Sequence, residues 1–209
     1  MGATPLPMFP LGTVLYPHVA IGLHLFEPRY QALGRDLAAG DGRFGIVLID
    51  RGSEVGGGES RTLIGTKARV TEAMELADGR WQLIARGEER IRVVTWLPDD
   101  PYPMALVQEL PDLLAEGDPA SELRDEAERE VRRALALKAE LDEPAQSSAV
   151  PISDDPIRAG YELAAAAPIG PHDHQRLLEA ESPFARLALV TELSRSAAGD
   201  FVRRLSTGG

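Results

Sequence analysis

The sequence predicts an α+β fold in which strands come first and helices follow. Three observations carry that reading. Before Asp112, short β-rich runs alternate with turn residues; after it, apolar residues recur every three or four positions. Residues 44–50, Phe-Gly-Ile-Val-Leu-Ile-Asp, form a continuous apolar run suited to a strand buried on both faces. Leu123, Ala127, Val131 and Leu135 are spaced by four, the pattern of an amphipathic helix.

Each element has its own local reason. Within the stretch FPLGTVLYPHVAIGLHLFEPRY, Phe9 to Tyr30, residues His24 to Tyr30 read as a strand delivering the chain into a helix. Glu27-Pro28 starts that helix, because proline at the first helical position lacks only an N–H that would be unpaired anyway. Tyr30, Leu33 and Leu37 give its apolar stripe, and Gly40 stands where a terminating glycine is expected. Residues 63–76 form a longer extended segment, and Asp78-Gly79-Arg80 turns the chain into the alternating Trp81, Leu83 and Ala85, predicting a hairpin over 68–85. Ile91, Val93 and Thr95, then residues 102–110, supply two further alternating sets. Asp118-Pro119 opens a helix reaching about Leu141, Ser153 to Pro156 opens a second, Gly170-Pro171 a short third, and Ser182-Pro183 the last. Residues 143–151 read as a turn-rich linker between the first two.

Composition excludes several function classes. The 209 residues carry 22 bases and 33 acids, a formal charge of −11, which opposes the phosphate backbone of nucleic acid and an anionic membrane surface. Without cysteine there is no disulfide, thiolate metal site or cysteine nucleophile. No signal peptide is visible and no apolar run approaches the ~20 residues of a membrane helix, so a cytoplasmic chain is expected. Charge is unevenly divided: residues 112–143 hold eleven acids and five bases, whereas 183–209 hold two acids and four bases. Those helix faces could pair, although exposed pairs are worth only ~0–1 kcal/mol each.

Candidate sites are judged against ordinary structural roles. His24 and Glu27 lack the second imidazole of a zinc-protease helix, and His24 between Leu23 and Leu25 reads as a strand residue. Glu27 is expected to cap the helix, with Arg29 paired locally. The glycine-rich segment 50–61 lacks the Gly-Lys of a phosphate loop, and its acids would repel a phosphate. His172 and His174, two apart at a helix start, do not converge on a metal. No Gly-x-Ser-x-Gly elbow is present, and both lysines, Lys67 and Lys138, are expected at exposed positions. No catalytic, metal or cofactor site is expected.

The same residues carry a family resemblance. Phe9-Pro-Leu-Gly12, Leu15-Tyr-Pro17 and Leu23-His-Leu-Phe-Glu-Pro-Arg-Tyr30 resemble the amino-terminal signature of the Lon substrate-binding domain. Residues 44–49, 51–56, 64–66, 76–80 and 87–90 resemble that domain's later motifs in the same order. The resemblance implies a PUA-like β subdomain over 5–111, a pseudo-barrel with one inserted helix, followed by a helical bundle over 112–205. It also implies a non-enzymatic module that binds exposed, unfolded polypeptide segments or a protein partner, since the ATPase and protease modules of Lon are not among these residues. The resemblance identifies a domain and not its contacts; the positions taken as binding candidates are Glu27, Arg29 and Tyr30 at the helix start and Glu54, Val55 and Gly56 in the glycine-rich segment. The alternative is RNA binding through the PUA-like fold, which would need Arg61, Arg69, Arg86, Arg90 and Arg92 clustered on one sheet face.

Overall fold

A computed structural model describes residues 2–51, 60–112, 120–141 and 151–207. Glu54, Val55 and Gly56, the expected Asp118-Pro119 start and linker residues 142–150 lie outside them. The chain divides into two compact units, Met1–Pro111 and Asp112–Gly209.

The first unit holds β1 (Thr4–Leu11), β2 (Ala20–Leu25), α1 (Pro28–Ala39), β3 (Arg43–Arg51), β4 (Ser60–Glu75), β5 (Trp81–Leu97) and β6 (Met104–Glu109). Its sheet runs β2-β5-β4-β3-β1-β6, and β5 also pairs with β6. Five strands thus return on themselves in a ring, while β2 lies outside it on β5. All pairings are antiparallel except β1 with β3. The sheet is therefore mixed.

Most elements follow from the sequence pattern. Phe44 to Leu48 are buried throughout, as a strand covered on both faces requires. The expected hairpin forms, but its second arm is longer: the two alternating sets at 81–85 and 91–95 belong to one strand of 17 residues. The register shift between Lys67 and Ala68 places an extra residue, Glu88, in that arm between the two sets, which is why it reads as two pieces. β1 was obscured by Pro5, Pro7 and Pro10. These are tolerated because Thr4–Pro7 pair with β6 and Met8–Leu11 with β3, so each half is bonded along one edge.

At α1, Glu27 occupies the cap position but its carboxylate does not cap. It binds Arg29 Nε at 3.1 Å, while its backbone carbonyl accepts from Tyr30 and Gln31. Gly40 is not left-handed (φ −100°); the positive φ of 72° falls at Gly42, after the helix. Gly34 lets α1 lie against the sheet, since a Cβ there would fall 2.7 Å from Trp81 Cγ.

The second unit holds α2 (Ala120–Glu140), α3 (Pro156–Ala166), α4 (Pro171–Glu179) and α5 (Pro183–Thr207). Asp155 caps α3, its carboxylate accepting from the N–H groups of Ile157 and Arg158. α5 packs against the other three, burying Leu187, Val190, Ala198 and Phe201. Arg195 of α5 reaches Glu126 (2.5 Å) and Glu130 (3.3 Å) of α2, so the acidic and basic helices do pair.

Candidate functional site

β2 alternates strictly: Leu23 and Leu25 are buried, whereas Gly22 and His24 are exposed. It pairs with β5 from Ala20↔Arg86 to Leu25↔Trp81 without a shift, and β5 pairs onward with β4. Two rows of outward side chains therefore cross three strands. One runs Gly22, Ile84, Glu72, and the other His24, Gln82, Met74. The inner rows, with Leu23, Leu83, Leu25 and Trp81, fill the core against α1.

The outer face breaks the usual polar-out rule. Ile84 is 41% exposed, Met74 53%, and Phe26, one residue past β2, 54%. Gln31 Nε2 donates to Phe26 O (3.0 Å) and fixes the backbone there. Phe26 separates two depressions. One, about 350 Å³, lies between Phe9–Leu11 of β1 and Ile21–Leu23 of β2 and is closed by Glu27 and Tyr30. The other, about 290 Å³, is lined by Leu76, Arg80, Trp81 and Gln82. His24 borders both.

Three of the residues singled out by sequence meet here. Glu27 pairs with Arg29, whose guanidinium sits 4.6 Å over the Tyr30 ring. Tyr30 is only 4% exposed and meets Phe9 edge-to-face at 4.5 Å, so it forms the groove's wall from within the core. Phe26, Ile84 and Met74 were missed. Ile84 did carry a signal: it is apolar yet out of phase with Trp81, Leu83 and Ala85.

A third depression, about 390 Å³, has a charged rim. Lys67, expected exposed, has a side chain only 15% exposed, with Nζ held by Glu89 (2.8 Å) and Glu109 (2.5 Å). Burial alone would lower the Lys67 pKa, but the two carboxylates raise it, and Lys67 in turn holds Glu109 below the ordinary glutamate range. Burial, and then the hydrogen bond to Asp36, push the Tyr102 phenol up to about 12, so it stays a donor. Arg43 is likewise engaged by Glu88 and Asp41. These ions neutralise one another in place, the ordinary behaviour of a structural network.

Among the described residues, no group of three or more His, Asp or Glu could hold a metal ion, and no helix is long and apolar enough to cross a membrane. The five arginines do not share one exposed face. Arg90 is 6% exposed, and Arg61 is engaged by Asp99 and the Trp96 ring.

Comparison with known proteins decides the family. The model of the ATP-dependent protease La (LON) substrate-binding domain matches residues 5–195. The chain belongs to the Lon substrate-binding domain family. The Lon protease of Desulfovibrio desulfuricans is 26% identical over 193 residues, which are 91% of this chain and 22% of that protein. Lon protease 1 of Herpetosiphon aurantiacus is 32% identical over 111 residues, 52% of this chain and 14% of that one. The chain thus spans less than a quarter of these relatives' length. The crystal structure of a Lon N-terminal domain protein from Xanthomonas campestris matches with a TM-score of 0.63 and 29% identity, covering 88% of this chain and 95% of that one. The N-terminal domain of a Mycobacterium avium complex Lon protease, at 16% identity, shares the fold, with a TM-score of 0.67 over 91% of this chain and 98% of that one.

Proposed function

We propose that these residues form a non-enzymatic module that binds exposed apolar segments of unfolded polypeptides or of a protein partner. The ring of strands is read as the PUA-like β subdomain, residues 5–111, and the four helices as its bundle, residues 112–205. The family supports the class of partner, because its description is substrate binding within a protease. One observation of this chain carries the reading: Phe26, Ile84 and Met74 project outward from adjoining strands, with a groove on either side of Phe26. Glu27 edges the larger groove and Tyr30 backs it, and Arg29 holds both by its ion pair with Glu27 and its place over the Tyr30 ring.

Magnitudes set the affinity. Completing the burial of three half-exposed apolar side chains is worth on the order of 1 kcal/mol each, added to contacts within the grooves. Ordering a flexible segment consumes much of that, so Kd values of about 1–100 μM are expected. Few charges participate, so salt has little effect.

The test is a fluorescence-anisotropy titration at about 0.15 M salt, near physiological screening. One labelled ligand is a permanently unfolded polypeptide and the other a single-stranded RNA. Saturable binding of the polypeptide alone supports the module. Strongly salt-dependent binding of the RNA instead contradicts it and favours the nucleic-acid alternative.

A further inference from the structure

Every strand of the ring is paired on both sides over at least part of its length, but among the described residues β2 is paired only with β5. Proteins usually blunt such an edge with lysine, proline, a bulge or a covering element. β2 reads Ala-Ile-Gly-Leu-His-Leu, with no proline and no lysine, arginine or acid, and its register with β5 has no bulge. The facing edge of β1 differs. Met8 N–H donates to Pro103 O, away from β3, and two residues on, where the next N–H would point the same way, stands Pro10. Both edges border the same groove of about 350 Å³. One wall has lost its donor and the other has kept its own.

We propose that an extended polypeptide segment adds to the free edge of β2 as a further strand, seating alternate apolar side chains in the groove. This rests on the polypeptide-binding reading above and specifies its mode. Backbone pairing supplies affinity without reading sequence, while the groove selects apolar residues at every second position. Gly22 leaves the room required, because a Cβ there would meet nothing within 4 Å.

Charge selects the occupant. The chain carries −11, yet the groove is lined by a single carboxylate, Glu27, already bound to Arg29 at 3.1 Å. An uncharged segment matches that lining, whereas a charged one would lose hydration with no partner to replace it. A second copy of this chain would bring −11 against −11 and be repelled. The occupant is therefore an uncharged, proline-free segment of another polypeptide, at least as long as the six residues of β2.

The experiment uses the whole chain and an eight-residue peptide of alternating leucine and serine with blocked ends. Anisotropy of the labelled peptide measures binding, and NMR amide exchange across Ala20–Leu25 measures mode. Strand addition predicts that, at saturating peptide, alternate amides of β2, those facing away from β5, exchange at least tenfold more slowly, while the β5-facing amides change little. A peptide that binds and leaves those amides exchanging as before overturns strand addition while polypeptide binding stands. An unfolded polypeptide that binds where the peptide does not also overturns it. If neither binds, the underlying function fails with it.

Discussion

Two clusters in this protein, compared side by side, put residues on the wrong side of the solvent boundary in opposite ways. In the helical unit a charge lies inside: Arg186 is fully buried. Its Nε donates to Leu177 O (3.0 Å), its Nη2 reaches Asp112 (3.2 Å), and its guanidinium stacks 4.0 Å from the Tyr161 ring, whose hydroxyl also donates to Asp112. In the strand unit apolar side chains lie outside, Phe26, Ile84 and Met74 together on the β2–β5–β4 face and Leu63 and Val94 elsewhere. The buried arginine is answered within its own unit; the outward apolar residues are covered by none of the described residues of theirs. An exception with partners is architecture, and one without them is an invitation to a ligand.

The largest effect should come from breaking the internal exception. Asp112→Ala leaves Arg186 charged and without its carboxylate, a loss of about 3–5 kcal/mol. It should appear as a lower urea midpoint followed by helix ellipticity. Replacing both partners, as Arg186→Met with Asp112→Leu, should recover most of that loss, because no uncompensated charge remains.

Two glycines of the strand unit sharpen the contrast between its ring and its outer face. A Cβ at Gly87 would lie 2.2 Å from the Tyr16 carbonyl oxygen, so Gly87→Ala should cost about 1–3 kcal/mol. At Gly22 the space is open, and Gly22→Val should stabilise by about 0.5–1 kcal/mol through strand preference and reduced chain entropy. Thermal unfolding of the two variants checks the opposite signs.

The smallest effect concerns pH. Burial holds the His174 pKa below the usual imidazole range, although Asp173 and the Ala164 backbone pull the other way. The unfolded chain therefore takes up this proton first as pH falls below about 6.5, and the helical unit loses stability there. Urea midpoints at pH 7.5 and 5.5 should differ less in His174→Gln than in the parent.

Much of this was legible in the residues. The β-then-α order, the start of α1 at Pro28 and the hairpin about Gly79 are local consequences of periodicity and turn chemistry. The long β5 and the proline-bearing β1 were not, because both depend on which edge each half pairs along. The site was half visible. Glu27, Arg29 and Tyr30 lie together in sequence, but Met74 and Phe26 reach one surface only through the β2–β5–β4 register. Arg186 gave no signal, since an arginine beside the Leu187–Val190 stripe reads as a solvated flank.

The most direct measurement is binding by a variant in which the three outward residues become polar, Phe26→Ser, Met74→Ser and Ile84→Ser together. Surface changes of this kind leave folding largely intact, which a urea melt confirms. The account predicts a folded protein whose affinity for a labelled unfolded polypeptide falls at least tenfold, about 1.4 kcal/mol. Undiminished affinity in the folded variant would contradict it and place the binding surface elsewhere.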